Sequence, residues 1–351
     1  MKSLQVVDYG EPLVEAESPT PVPTGHEVLL RVRAAGVCHT DLHLWHGGYD
    51  LGHGRKLSLK DRGVQLPLTM GHETVGVVVA VGEQASGVSV GDVRLVFPWI
   101  GCGKCDACHS EHENLCLAPN TIGVNRAGGY ADHILVPDAR YLVSLQGLDP
   151  VSAAPLACSG LTCFSALRKF DSPTLAQTPL VVIGAGGLGL MCIKLLAGLG
   201  GAGAVVVEPD SSKRQAALAE GALAVVDSSS PDAADQVRKA VGVPVPAVVD
   251  FVANPDTAAL AFDVLTKGGK LVSVGLFGGA APWPLPLIAI KALTIQGSYV
   301  GSLPELRELV ELVAHKRLAL IPVSTCNMSG LRKALESLQE GKIVGRMIMT
   351  P

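Results

Sequence analysis

The segment from Leu180 to Glu208 leaves this chain few folds to choose from. Four apolar residues, Leu180-Val181-Val182-Ile183, run into Gly184-Ala185-Gly186-Gly187-Leu188-Gly189, then an apolar stretch from Leu190 to Leu199, then Ala204-Val205-Val206-Val207 and Glu208. A short buried strand, a G-x-G-x-x-G turn, a helix and a second strand make a parallel βαβ unit. Gly184 allows the tight turn, and Gly186 lets main chain approach a pyrophosphate. Gly187 and Leu188 open the helix whose N–H groups face the phosphates, and Gly189 permits close packing of helix on strand. Glu208 stands at the end of the second strand, placed to accept hydrogen bonds from a ribose diol. An acid there repels a 2′-phosphate, so NAD is favoured over NADP. Hydropathy alone would read Pro179–Val207 as a membrane span, but Lys194 and the repeated glycines fit strand, turn and helix better.

The texture continues beyond this unit. A helix is predicted over Ser212–Glu220, and strands over 224–227, 247–251 and 270–276. Strands alternating with helices predict an α/β fold with a doubly wound parallel sheet. Residues 1–150 read differently, as short β segments that include Val28–Arg33, Thr74–Val81 and His133–Val136. After Trp283 come a β segment at Thr294–Val300, helices at Leu303–His315 and Ser329–Glu340, and a closing strand at Ile343–Met349. The expected organisation is a β-rich domain from 1–157 and 299–351, interrupted by a dinucleotide-binding domain from 158–298. With 351 residues, each domain has enough chain for its own core.

Charge narrows the partners. The net charge is −4 and Lys and Arg form no run, so no nucleic-acid partner is expected. The N-terminal residues lack the apolar core of a secretion signal, and no membrane partner is expected. Nine cysteines without such a signal point to a reducing, cytoplasmic setting.

Four of those cysteines, Cys102, Cys105, Cys108 and Cys116, have the spacing C-x2-C-x2-C-x7-C. Thiolates that close can surround one Zn²⁺ tetrahedrally, and four protein ligands leave no position for a substrate. This lobe, about residues 101–117, therefore predicts a structural zinc, and the chemistry must lie elsewhere. Two other segments carry ligand-type residues: Cys38-His39-Thr40-Asp41-Leu42-His43 and His72-Glu73. Cys158 lies in a third, Leu156-Ala157-Cys158-Ser159-Gly160. Cys38, His72 and Cys158 would make a Cys2His set with an open fourth position, the pattern of a catalytic zinc. Their spacing alone does not group them, and each could equally be a core residue. Cys163, Cys192 and Cys326 have no ligand spacing and read as core thiols.

Taken together, GVCHTDLH, MGHETVG, the four-cysteine lobe, LACSGLT, VIGAGGLG, GGKLVSVGL, GSYVG and GKIVGRM resemble the zinc-dependent medium-chain alcohol dehydrogenases over nearly the whole chain. The resemblance implies a GroES-like catalytic domain beside the dinucleotide domain, two Zn²⁺ per subunit, and oxidation of a primary, secondary or cyclic alcohol with hydride transfer to NAD. Cys38, His72 and Cys158 then hold the catalytic zinc. Zinc lowers the pKa of an alcohol, and Thr40 would pass the proton by way of the cofactor ribose to His43. Asp41 would orient His72 and Glu73 would sit behind the metal. For the cofactor, the likeness adds His39 and Arg346 at the phosphates and Lys213 at the adenosine end. It also adds the main chain of Val274, Ser298 and Val300 at the carboxamide. Relatives are dimers or tetramers, so a homo-oligomer is expected, a tetramer first.

Between His43 and Gly71 the chain is longer than many such relatives, and Trp45, Tyr49 and Trp99 are candidate walls of a substrate pocket. The segment at 47–66 could equally be a solvated insertion. Two other readings are a carbonyl reductase working with NADH and a zinc-stabilised nucleotide-binding protein without catalysis. The second would be favoured by loss of Cys38, Thr40 or His72, and all three are present.

Overall fold

The computed structural model describes residues 1–281 and 283–351. Two compact units divide the chain. One comprises Met1–Gly48, Ser58–Leu161 and Gly301–Pro351, and the other Tyr49–Leu57 and Thr162–Val300. Tyr49–Leu57, kept with the first part by the sequence reading, groups with the second. It includes most of a two-stranded hairpin formed by Gly48–Asp50 and Lys56–Ser58.

The second unit is built on six parallel strands. In spatial order they are Ala224–Val226, Ala204–Val207, Leu180–Ile183, Val245–Asp250, Leu265–Ser273 and Thr294–Gly297. The central ones are runs of Val, Ile and Leu buried on both faces, which β-branched side chains fit and which parallel sheets require. Val181, Ile183, Val205, Val248 and Leu271 pack one continuous core with helix residues Val237, Ala261 and Val264. Sequence order reverses between Leu180–Ile183 and Val245–Asp250. Such a switch point opens a crevice at the carboxyl ends of the strands, where α/β sheets bind ligands.

The first unit centres on a seven-stranded sheet whose longest members, Val28–Val37 and Glu73–Val81, pair antiparallel. Arg346–Met349 returns from the chain's end to pair with Val28–Val37, with Val323–Cys326 beyond it at the edge. This sheet ends its two long strands at opposite sides of one place: Val37 leads straight to Cys38, and Glu73 follows His72. Helix Pro150–Ala153 and the 3-10 turn Ala154–Ala157 then carry Cys158 in.

Several elements differ from expectation. The Cys38–His43 segment is a helix, His39–His46, because Cys38 and Asp41 complete a capping box at its start. Helices at Ala233–Val241 and Pro255–Val264 and the strand Val323–Cys326 had no counterpart in the sequence reading. Cys326, read as a core thiol, is only half-buried because that strand is an edge; Cys163 and Cys192 are fully buried. Among the described residues no single helix is long and apolar enough to cross a membrane.

Candidate active site

In the first unit, the ligand atoms of Cys38, His72, Glu73 and Cys158 all lie within 4.8 Å of one another, and all four residues are buried. Residues 120 apart in sequence, Cys38 and Cys158, bring their sulfurs to 4.0 Å. A tetrahedral Zn–S site at about 2.3 Å per bond spaces its sulfurs about 3.8 Å apart, so the pair suits a shared ion. Neither ring nitrogen of His72 has a hydrogen-bond partner although the residue is entirely buried, and Nδ1 faces the Asp41 carboxylate. A buried ring nitrogen without a partner costs the protein unless something outside the polypeptide satisfies it. Two soft sulfurs and one imidazole form a donor set suited to Zn²⁺.

The surroundings polarise these groups. The Cys158 thiol bonds toward the Cys38 sulfur, which lowers the Cys38 thiol well below its usual range and raises Cys158. Burial alone would lower His72, but the Asp41 carboxylate overrides it and raises the imidazole well above the usual value. Asp41 Oδ1 lies 3.4 Å from His72 Nδ1, while Oδ2 accepts the Cys38 N–H at 2.9 Å and the Tyr130 hydroxyl at 2.8 Å. Oδ1 and Nδ1 face each other as an ion pair and make no hydrogen bond.

Arg346, expected at the phosphates, has a protein partner of its own. It is buried, and its guanidinium grips Glu73 at both ends, Nε on Oε2 at 3.0 Å and Nη2 on Oε1. A buried carboxylate needs such a partner, and the sheet pairing of Arg346–Met349 with Val28–Val37 supplies it. This side chain holds a carboxylate close to the sulfurs through Nε and Nη2.

Thr40 is half-buried, its hydroxyl 3.8 Å from the Cys38 sulfur. His43 lies one turn further along the same helix, partly buried, and its imidazole is lowered by burial first and by His39 second. His39 itself is exposed at the helix start. The three aromatic residues proposed for a pocket differ in their surroundings. Trp99 packs beside His72 with ring centroids 5.4 Å apart, its indole N–H on the Ala157 carbonyl at 2.9 Å. Trp45 is buried and donates its indole N–H to the Glu11 carbonyl. Tyr49 belongs to the hairpin of the other unit.

The lobe is a second cluster. Cys105 lies 3.5 Å from Cys108 and 3.7 Å from Cys116, and Cys102 lies 4.0 Å from Cys108. These separations again bracket the tetrahedral value of about 3.8 Å. Main-chain N–H groups of Cys102 and Ala118 point at Cys116 Sγ. The Lys104 main chain lowers the Cys102 thiol to about 6, and burial raises Cys108 to about 12. Buried Glu113 fastens the lobe to the sheet, accepting from Gly101 N–H at 2.9 Å and the Tyr141 hydroxyl at 2.9 Å. Glu113 was not singled out in the sequence, where it is one acid among several in the lobe.

In the second unit, the helix Gly187–Gly198 starts at the end of Leu180–Ile183 with Gly186 as its cap. A Cβ on Gly189 would lie 1.9 Å from the Gly184 carbonyl oxygen, so helix and turn touch main chain to main chain. A Cβ on Gly186 would meet nothing within 4 Å. No protein contact explains that glycine, and the clear approach it leaves suits a pyrophosphate. Glu208 is buried, accepting from Ala185 N–H at 2.8 Å and Asp210 N–H at 3.1 Å, and so ties the glycine turn to the next strand. Lys213 is half-buried in the first turn of helix Ser211–Ala219. The N–H groups of Val274 and Ser298 are committed to the Asp250 and Ser273 carbonyls. Ser298 Oγ is buried without a partner, and Val300 holds φ at +42°, uncommon for a β-branched residue. Sequence reasoning passed over Asp250, whose carboxylate accepts from Val252 and Ala253 N–H and from the Thr257 hydroxyl, each at 2.9 Å.

Known proteins share this arrangement. Residues 24–147 match the alcohol dehydrogenase GroES-like domain, and residues 187–315 match the zinc-binding dehydrogenase domain. An NAD-dependent alcohol dehydrogenase of Sulfurisphaera tokodaii is 36% identical, with both chains covered in full. A D-arabinose 1-dehydrogenase (NADP(+)) of Saccharolobus solfataricus is 32% identical over 100% of this chain and 97% of its own. Among solved structures, the alcohol dehydrogenase of Aeropyrum pernix superposes with a TM-score of 0.90 at 29% identity, covering 100% of both chains. This chain belongs to the zinc-dependent medium-chain alcohol dehydrogenase family.

Proposed function

We propose that this protein oxidises a small alcohol to an aldehyde or ketone with NAD, using one zinc held by Cys38, His72 and Cys158 and a second held in the lobe by Cys102, Cys105, Cys108 and Cys116. The observation that carries the reading is the convergence of two buried sulfurs on an unpartnered, buried imidazole nitrogen, separate from a complete four-thiol cluster. Zinc at a three-ligand site supplies a Lewis acid that lowers the pKa of an alcohol, and NAD supplies the hydride acceptor. The chain's own residues do the rest. The Cys38 and Cys158 sulfurs and His72 Nε2 provide the donors, and Asp41 holds the imidazole in orientation. Arg346 neutralises Glu73 and keeps that carboxylate behind the site. Trp99 covers one side of the His72 ring and helps exclude water. Thr40 would relay the alcohol proton, accepting it as its own hydroxyl proton is passed on, and His43, whose imidazole is lowered by burial, is the final acceptor.

In the second unit, Gly184–Gly189 receive the pyrophosphate and Glu208 the adenosine ribose, which selects NAD over NADP. By the family resemblance, Lys213 contributes at the adenosine end and His39 at the pyrophosphate. Cysteines that are all free set the protein in a reducing compartment, the cytoplasm. The protein works as a homo-oligomer. Strand Thr294–Gly297 is an open edge of the six-stranded sheet, and beside it helix Leu285–Ile290 buries none of its residues, with Leu285 74% and Ile290 65% exposed. An apolar helix at a free edge calls for a second copy.

Initial rates with primary, secondary, cyclic and aromatic alcohols, each with NAD and NADP, test the assignment. Reduction of NAD with at least one class is expected, at rates well above those with NADP. No reduction with any alcohol would overturn the function, and a preference for NADP would overturn the role of Glu208.

A further inference from the structure

The segment Gly128-Gly129-Tyr130 threads between the two turns that carry the site's cysteine and histidine. Gly129 N–H donates to the Gly71 carbonyl at 2.7 Å, and Tyr130 N–H donates to Met70 at 3.0 Å, beside His72. The Tyr130 ring is 0% exposed and lies against Gly71, where an added Cβ would come within 2.7 Å of the ring. From there its hydroxyl crosses to the other turn, donating to Asp41 Oδ2 at 2.8 Å with the Gly36 carbonyl a longer alternative at 3.3 Å. Oδ2 also accepts the Cys38 N–H, so two donors fix one oxygen and leave Oδ1 facing His72 Nδ1. A carboxylate pinned by a single donor can swing about its terminal torsion, which is broad and roughly two-fold. Pinned by two from different directions, it cannot.

We propose that Tyr130 is a positioning residue for the metal centre: its hydroxyl locks Asp41, and Asp41 in turn locks the imidazole of His72 toward the two sulfurs. The inference rests on the reading of Cys38, His72 and Cys158 as zinc ligands. Nothing about Tyr130 as a residue type identifies this role; its position between Gly36, Asp41 and Gly71 does. Outer groups that hold a ligating histidine are worth about 10–100-fold in metal affinity.

The test is Tyr130→Phe, which keeps the packed ring and removes only the hydroxyl. Zinc release from the wild type and the variant is followed with a chromogenic chelator. Cys38→Ser identifies the phase that belongs to the buried site, and the lobe phase serves as an internal control. We expect the buried-site phase to quicken by about 10-fold in Tyr130→Phe, the low end of the range for a group set directly behind a ligating histidine, with the lobe phase and Tm unchanged. Release unchanged at the buried site, or quickened equally at both, would overturn the positioning role. Wild-type protein that releases only the lobe zinc would overturn the proposed function itself, and the role of Tyr130 with it.

Discussion

The two cysteine clusters in the first unit gather metal ligands in opposite ways. The lobe takes all four from residues 102–116, in short turns near the surface, with three of its sulfur-bearing residues only half-buried. The other takes its ligands from the end of one sheet strand, the start of another and the turn after a helix, all of them buried. Four thiols close a coordination sphere and brace a loop; two thiols and an imidazole leave one position for a substrate oxygen. Around the lobe the supporting contacts are main-chain N–H groups and Glu113. Around the buried site they are charged: Asp41 on His72 and Arg346 on Glu73. Charge placed behind a buried ligand set tunes chemistry, whereas main-chain donors behind half-buried thiols mainly fix shape.

That contrast breaks most visibly at His72. His72→Ala should lower turnover by about 10³-fold, since losing a zinc ligand forfeits several kcal/mol of stabilisation. The zinc content should fall from two to one per chain while the lobe is retained; metal analysis beside NAD-reduction rates checks both. A smaller effect is expected at His43, where burial and then His39 lower the imidazole below 6.5. Only the neutral ring accepts a proton, so wild-type kcat/KM should hold as pH falls through 6.5 and decline below it. His43→Gln should lower the rate by about 10²-fold and remove that acid limb. A pH profile in which the limb survives the substitution would remove His43 from the proton path.

Legibility followed the same division. The lobe was readable because its ligands are neighbours in the chain, and spacing alone restricts four thiols in fifteen residues. The glycine turn was readable because strand, turn and helix are consecutive. Cys38, His72 and Cys158 could be grouped only by family likeness, because sheet pairing between Val28–Val37 and Glu73–Val81 is what brings the first two together. The Arg346–Glu73 pair was hidden for the same reason: the two residues are 273 apart. Tyr130 and Asp250 left no signal at all, since a buried hydroxyl or carboxylate shows its purpose only through the groups it reaches. Trp45 carried an ambiguous one, as an aromatic residue beside a reactive segment reads alike whether it lines a pocket or fills a core.

The central claim is that substrate chemistry belongs to the buried site and that the lobe is closed. Its most direct test is the visible spectrum of cobalt-loaded protein titrated with an alcohol in the presence of NAD. Cys105→Ser protein, left with its cobalt at Cys38, His72 and Cys158, should change its d–d bands as alcohol is added. Cys38→Ser protein, with cobalt confined to the lobe, should not. A response in Cys38→Ser and none in Cys105→Ser would contradict the account.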